Sequence, residues 1–305
     1  MKIAVMAAGA VGGYFGARLA DVGHDVFFLA RGKHLKAIRS RGLQVRSELG
    51  DLHLNNIGAT DDPTSIGPVE IIIFAVKLWD TVSSVRACRS MLAENTAVIS
   101  FQNGIESNAL ISKELGAKHA MTGSAYISSV ISEPGVIRHF GNFAKLVFGE
   151  NDNQPSNRTG AFLEACLESG IEAVIPDDIH AAVWDKFVTL TTMSGATAAT
   201  RSSIGTILAD PDMTRMYRAA MSEIVAVGRA SGVNFPDDII ERQMGFAANL
   251  PPDMTASTLK DLESGNRLET PWLTGAVVRL GRELNIATPV NETLNSVLKP
   301  YENGG

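Results

Sequence analysis

The chain opens with short apolar runs that alternate with longer amphipathic stretches. The first four are Ile3 to Met6, Val11 to Ala20, Val26 to Leu29 and Leu35 to Ile38. The alternation continues at residues 71 to 75, 82 to 91, 97 to 100 and 106 to 115. Because parallel strands need a crossover helix between them, this rhythm predicts a doubly wound sheet of the Rossmann type.

Two further segments add β structure to this pattern. Residues 43 to 46 and 52 to 54 predict a small hairpin. From Ala120 to Glu150, β-branched runs are broken at Pro134–Gly135 and at Gly141–Asn142. These dipeptides favour turns, so we expect antiparallel strands that extend the sheet and reverse at both places.

The second half of the chain has a different, helical character. Amphipathic stretches cover residues 213 to 230, 236 to 248 and 272 to 284. A chain of 305 residues also exceeds what one core usually supports. We therefore expect an α/β domain at residues 1–176 and an all-α domain at residues 177–305.

A glycine-rich turn follows the first predicted strand and opens a helix. Its residues are Ala7, Ala8, Gly9, Ala10, Val11 and Gly12. In this context the glycines allow a tight turn, and the helix N-terminus binds the pyrophosphate of a dinucleotide. Ala7 replaces the first glycine of the fingerprint, which the turn tolerates if the φ angle of Ala7 is negative. The alternative is a turn with a purely structural role.

Three more residues are candidates for the cofactor site. An NAD enzyme places an acid after the second strand, but here the chain has Arg31, which can bind a 2′-phosphate. This favours NADPH over NADH. Lys77 and Asn103 follow later strands at their carboxyl ends, where open α/β sheets bind ligands.

Composition excludes several other classes of protein. The net charge of −6 argues against a nucleic-acid partner, and no apolar run approaches the roughly 20 residues of a membrane span. The N-terminus does not resemble a secretory leader, and the two cysteines have no metal or redox spacing. The six histidines form no helical pair, so no metal is expected. We expect a cytoplasmic protein with a small-molecule substrate.

The order of several motifs resembles that of the ketopantoate reductase (2-dehydropantoate 2-reductase) family over essentially the whole chain. The motifs are the run from Gly9 to Gly16, Ala30 to Gly32, Val76–Lys77, Gln102 to Gly104, Trp184 to Lys186, Ser257 with Asp261 and Glu269, and Ile286 to Asn291. The resemblance implies a Rossmann domain that binds NADPH, a helical domain and reduction of a 2-oxo acid to a 2-hydroxy acid. It also implies a homodimer.

The resemblance assigns roles to individual residues as well. It implies that Lys186 is the general acid that protonates the carbonyl oxygen, and that Glu269 holds the lysine or the nicotinamide ribose. It implies that Ser257 binds the substrate carboxylate and that Asn103 bridges nicotinamide and substrate. A carboxylate near Lys186 would favour its charged form.

The chain departs from the family at the expected substrate pocket. Leu190, Ser194 and Ile204 stand where members usually have asparagine, and Thr270–Pro271 follows Glu269 in place of Ile-Asp. Ser194 stays a substrate-binding candidate, and Thr191, Thr192 and Thr197 are candidates to replace the missing hydrogen bonds. The pocket is therefore expected to be more apolar than that of a pantoate-forming enzyme.

Two other functions are compatible with the pattern. A β-hydroxyacid dehydrogenase would share the Rossmann domain, the arginine and a helical domain with a lysine, but its glycine-rich substrate motif is missing. An NADPH-binding sensor without catalysis would keep Gly9, Gly12 and Arg31 without needing Lys186.

Overall fold

A mixed sheet of ten strands organises the first half of the computed structural model, which describes residues 1–305. The strands are β1 (Lys2–Met6), β2 (Asp25–Leu29), β3 (Leu43–Arg46), β4 (Leu52–Leu54), β5 (Gly58–Thr60), β6 (Val69–Phe74), β7 (Leu92–Ser100), β8 (Ala120–Glu133), β9 (Val136–Gly149) and β10 (Glu172–Val174). Their order is β4-β3-β9-β8-β7-β6-β1-β2-β5, with β10 beside β9.

Six of these strands form a parallel core in the order β5-β2-β1-β6-β7-β8. Five helices accompany the sheet: α1 (Ala10–Asp21), α2 (Gly32–Arg41), α3 (Thr81–Ala87), α4 (Ser107–Leu115) and α5 (Asn157–Glu168). The strand order reverses between β1 and β6, which is where doubly wound sheets bind ligands. The predicted Rossmann-type fold is confirmed.

Both faces of the sheet are apolar, as a parallel sheet covered on two sides requires. Along β1, Ile3 and Val5 join one buried cluster and Ala4 and Met6 join another on the opposite face. Because successive side chains of a strand point to opposite faces, this one strand contributes residues to two apolar cores.

The predicted hairpin of β3 and β4 is confirmed, and so is the reversal at Pro134–Gly135. The turn predicted at Gly141–Asn142 is wrong, because β9 continues through it. Opposite that point the register shifts, so that Ile127 pairs with Ala144 and Ser128 with Phe140. The glycine, with φ of 82°, supports a bulge instead of a chain reversal. Strand β5 was not predicted.

The second half of the chain is helical, as predicted. Its helices are α6 (Ile179–Thr200), α7 (Ile204–Ala209), α8 (Pro211–Ala230), α9 (Ile239–Ala248), α10 (Ser257–Glu263), α11 (Thr274–Leu284) and α12 (Pro289–Leu298). Helix α8 packs against α7, α9, α11 and α12. None of the helices combines the length and the apolar composition that a membrane span requires.

Local chemistry fixes where the helices of this bundle begin. The Asp210 carboxylate accepts hydrogen bonds from the N–H groups of Asp212 and Met213, and Pro211 fits the first position of α8. On the same helix, the Glu223 carboxylate accepts from the N–H groups of Val290 and Asn291 at the start of α12. Helix α8 thus positions α12 through Glu223, a partly buried acid that lies at the N-terminus of α12.

The chain divides into two compact units by its internal contacts. One comprises Met1–Gln102 and Glu106–Ile179, and the other comprises Asn103–Ile105 and His180–Gly305. Ile105 packs against the apolar core of the helical unit. The helical unit therefore includes three residues, 103–105, that the sequence places inside the sheet domain.

Candidate active site

The glycine-rich turn lies between β1 and α1, at the carboxyl edge of the parallel core. Gly9 is the residue before the first turn of α1, and no side chain caps that helix. A Cβ on Gly12 would lie 2.3 Å from the carbonyl oxygen of Ala7, so only glycine fits there. Ala7 itself does not have a positive φ angle, which explains why alanine is tolerated.

The space in front of this turn is open. A Cβ built on Gly9 would meet no atom within 4 Å, and the first turn of α1 carries no acidic residue. Ala10 and Val11 begin the helix, so their N–H groups belong to its unpaired first turn. This arrangement fits the pyrophosphate of a dinucleotide, which needs close backbone approach and free N–H donors.

Arg31 lies two residues beyond the end of β2, directly before α2. It is exposed, and the first turn of α2 contains no acid. Because β1 and β2 are neighbours, with Met6 opposite Leu29, Arg31 lies beside the glycine-rich turn. The guanidinium is therefore free of a neighbouring acid on α2 that would repel a phosphate at the ribose end of a dinucleotide.

Lys77 follows β6, on the other side of β1. It is exposed, and its Nζ lies 5.5 Å from the ring centroid of Trp79. Buried Gln102 fixes this segment, because its Nε2 donates to the Val76 carbonyl and to Thr81 Oγ1, both at 2.9 Å. The role of Gln102 was not predicted, although it stands in a motif next to Asn103.

The helical unit brings Lys186 and Asn103 together. Lys186 lies on α6, and its Nζ donates a hydrogen bond to Asn103 Oδ1 at 3.3 Å. Burial lowers the pKa of Lys186 to about 8, and the charge of Glu269 opposes this by favouring the ammonium form. The influence of Glu269 has the expected direction, but desolvation is the larger effect. Lys186 and Asn103 meet although more than 80 positions separate them in the sequence, and Glu269, a similar distance further along the chain, is near enough for its charge to act on Lys186.

Ser257 is placed differently from the other candidates. It is exposed and is the first residue of α10. The segment before it is held by backbone hydrogen bonds from Ile204 to Met254 and from Gly205 to Pro252, both 2.9 Å long. Its neighbour Ala256 also donates from its N–H to Thr197 Oγ1 at 3.4 Å.

Comparison with known proteins agrees with this geometry. Residues 3–153 match the family described as ketopantoate reductase PanE/ApbA, and residues 178–302 match the C-terminal domain of the same family. The chain belongs to the ketopantoate reductase family. It is accordingly an oxidoreductase, a 2-oxo acid reductase that uses a nicotinamide cofactor.

Individual relatives cover the chain from end to end. A 2-dehydropantoate 2-reductase of Mesorhizobium japonicum is 28% identical over 98% of this chain and 96% of its own length. An uncharacterized oxidoreductase of Bacillus subtilis, YkpB, is also 28% identical and covers 99% of both chains. The crystal structure of a PanE/ApbA family ketopantoate reductase from Ralstonia eutropha aligns with a TM-score of 0.91, at 30% identity over 99% of this chain and 98% of that one.

The positions that depart from the ketopantoate reductase family lie in distinct surroundings. Leu190, one turn of α6 beyond Lys186, is partly buried and packs against the helical core. Ser194, one turn further, is 1% exposed, and its Oγ has no hydrogen-bond partner. The side chain of Ile204 is buried in the same core as Trp184. Of these three positions, Ser194 alone has a polar side-chain atom, and that atom has no hydrogen-bond partner.

The three threonines behave in two ways. Thr192 and Thr197 donate their hydroxyl hydrogens to carbonyls four residues earlier in α6, at 2.7 and 2.8 Å. Thr191 Oγ1 is buried without a partner. Of the three, only Thr191 therefore keeps its donor available.

Proposed function

We propose that this protein uses NADPH to reduce a 2-oxo acid whose side chain is apolar, ketopantoate or a less polar relative, to the 2-hydroxy acid. The observation that carries the proposal is Lys186, a lysine with a pKa lowered to about 8 whose Nζ is held by Asn103. A general acid works best when its pKa lies near the working pH. When bound, the reduced nicotinamide supplies the hydride.

The chain's own residues handle the proton. As negative charge develops on the carbonyl oxygen, the Lys186 ammonium stabilises it and then donates a proton to that oxygen. The Asn103 amide oxygen accepts one ammonium hydrogen, which orients Nζ. Glu269 supports the charged form of the lysine before the reaction.

The choice of NADPH is supported by charge. Arg31 is exposed beside the glycine-rich turn, and α2 has no acid in its first turn to bind a ribose 2′-hydroxyl. Turnover with NADPH and with NADH, each assayed with a panel of 2-oxo acids, tests this. Binding of NADPH without turnover of any 2-oxo acid would contradict the enzyme assignment and favour a non-catalytic sensor.

The substrate side chain is tested by a pair of acids that differ in one group. Ketopantoate and 3,3-dimethyl-2-oxobutanoate differ only by the terminal hydroxyl, so their ratio of kcat/KM measures recognition of that hydroxyl. Leu190→Asn should shift the ratio toward ketopantoate by about 5- to 100-fold, since a buried hydrogen bond contributes roughly 1 to 3 kcal/mol. Leu190→Met is the matched apolar control. An unchanged ratio in Leu190→Asn would show that residue 190 does not face the substrate.

A further inference from the structure

His34 uses both nitrogens of its ring in hydrogen bonds to the backbone. It lies in the first turn of α2 and is partly buried. Its Nδ1 accepts from the N–H of Gly135 at 3.0 Å, and its Nε2 lies 2.9 Å from the carbonyl oxygen of Ala8. Because a backbone N–H can only donate and a carbonyl can only accept, the ring must be neutral and must carry its proton on Nε2.

The two partners of this ring are far apart in the sequence. Ala8 belongs to the glycine-rich turn, and its own N–H donates to the carbonyl of Leu29 at 2.7 Å. Gly135, with φ of 84°, forms the turn between β8 and β9. The imidazole therefore connects α2, the glycine-rich turn and the β8–β9 turn.

The bond to Ala8 determines where the next N–H points. The peptide between Ala8 and Gly9 is trans, so its C=O and N–H point in opposite directions. With the Ala8 carbonyl directed at His34, the Gly9 N–H is directed away from it, and it donates to no carbonyl of the chain. A Cβ built on Gly9 would meet no atom within 4 Å, so a ligand has room to approach this residue.

The surroundings of His34 are poor in charge on the cofactor side. Residues 3 to 17 include no charged side chain. The charges nearby are Arg31, Lys33 and Lys36 on the His34 helix, and Arg41, Arg46 and Glu133, which line a cleft with Gly135. Burial lowers the pKa of His34, and the bond to the Ala8 carbonyl opposes this. Desolvation, and no charged neighbour, is what keeps the ring neutral.

We propose that His34 is a positioning residue for the cofactor: its neutral ring holds the Ala8 carbonyl so that the Gly9 N–H faces the pyrophosphate, and its protonation in mild acid weakens NADPH binding. The inference rests on the proposed use of NADPH. A protonated ring has N–H groups on both nitrogens, so Nδ1 can no longer accept from Gly135. The buried Gly135 N–H then loses its partner, and the ring leaves the position that fixes Ala8.

Two variants separate the two bonds. In His34→Asn the amide oxygen replaces Nδ1 as acceptor, but no donor reaches Ala8. In His34→Gln the longer side chain places an NH2 donor near Ala8, and the residue cannot titrate. Binding of NADP⁺, which tolerates acid, is measured by calorimetry between pH 5.5 and 8 without substrate, with NAD⁺ as the ligand that lacks the titrating 2′-phosphate.

At pH 7.5 we expect Kd to rise about 5- to 10-fold in His34→Asn, which corresponds to one lost hydrogen bond, and less than about 2-fold in His34→Gln. Between pH 7.5 and pH 5.5 the Kd of the wild type should rise several-fold more than the Kd of His34→Gln. Protonation of the ligand's 2′-phosphate affects both proteins equally, so the difference between them reports on His34. In turnover, His34→Asn should raise KM for the cofactor and leave kcat unchanged.

Equal affinity of His34→Asn and wild type for NADP⁺ at pH 7.5 would overturn the proposal. So would a rise in Kd toward pH 5.5 that is as large in His34→Gln as in the wild type. If His34→Asn does not fold, as judged by circular dichroism, the pH dependence of the Kd of His34→Gln for NADP⁺ still tests the proposal. Failure of the wild-type protein to bind NADP⁺ at any pH would contradict the proposed function itself, a result distinct from both.

Discussion

The ammonium group of Lys186 should lower the free energy of unfolding of this protein. Its pKa of about 8 in the folded protein, against 10.5 for an ordinary lysine, corresponds to roughly 3 kcal/mol that favours the neutral form. At pH 7 the lysine is charged in both states, so this difference lowers the free energy of unfolding. Replacing the charge with an apolar side chain of similar length should therefore stabilise the protein and abolish catalysis.

The expected gain is smaller than that upper limit for two reasons. Lys186 is only partly buried, and its replacement leaves Asn103 Oδ1 without this donor, which costs about 1 kcal/mol. We expect Lys186→Met to raise the free energy of unfolding by about 1 to 2 kcal/mol at pH 7. Turnover should fall by about 100-fold or more, since a general acid contributes roughly 10² to 10⁴.

The sign of the pH dependence follows from the lowered pKa. Between about pH 8 and pH 10.5 the unfolded chain binds more protons at Lys186 than the folded protein does. Stability contributed by this group therefore rises with pH across that window in the wild type and not in Lys186→Met. The advantage of the variant should shrink above pH 8 and disappear near pH 10.5.

Urea unfolding followed by circular dichroism at pH 7, 8.5 and 10 measures this difference. Lys260→Met is the control, because Lys260 is exposed on α10 and its replacement should change stability by less than about 0.5 kcal/mol. Lower stability of Lys186→Met than of the wild type at pH 7, or an advantage that does not depend on pH, would refute a destabilising ammonium group at position 186.

Three further results are expected. The plot of log kcat/KM against pH should fall above about pH 8 in the wild type, and Glu269→Gln should move this fall to lower pH because it removes the charge that favours the ammonium form. An unmoved profile would argue against the effect of the Glu269 charge on Lys186. Arg31→Ala should weaken NADPH binding by about 10- to 100-fold, as expected for a charge-assisted contact of roughly 1.5 to 3 kcal/mol, and leave NADH binding unchanged; equal losses for both cofactors would remove the role of the arginine. Gly12→Ala should prevent stable folding, which thermal unfolding detects, whereas Gly9→Ala should fold normally and lose only cofactor affinity by calorimetry; normal stability of Gly12→Ala would contradict the close packing of this turn.

The centre of the parallel core could be predicted because β1 and β6 are buried on both faces and appear as short apolar runs. Strand β5 escaped prediction because Gly58–Thr60 has only three residues and no apolar run. The bulge at Gly141 was mistaken for a turn because glycine with a positive φ angle serves in both, and the sequence does not contain the register that distinguishes them.

Some residues of the candidate site could be predicted from the sequence and others could not. Gly12 and Arg31 stand in a local motif, so position in the sequence identified them. The hydrogen bond of Lys186 to Asn103 depends on tertiary structure and was not predicted; the family resemblance implied only that both residues act on the substrate. The role of His34 could not be predicted, because its partner Gly135 is 101 residues away and both bonds use backbone atoms.

The placement of Asn103–Ile105 determines whether the helical unit can be produced as a separate fragment. A fragment that starts at His180 contains the later helices except Ile179, the first residue of α6. It lacks Ile105, which packs against their apolar core, and Asn103, which accepts a hydrogen bond from Lys186. Separate expression of the helical half would therefore leave the part of the apolar core that Ile105 covers exposed and would remove the Asn103 acceptor of Lys186. Supplying residues 103–105 through a permuted chain or a short fused peptide should restore both.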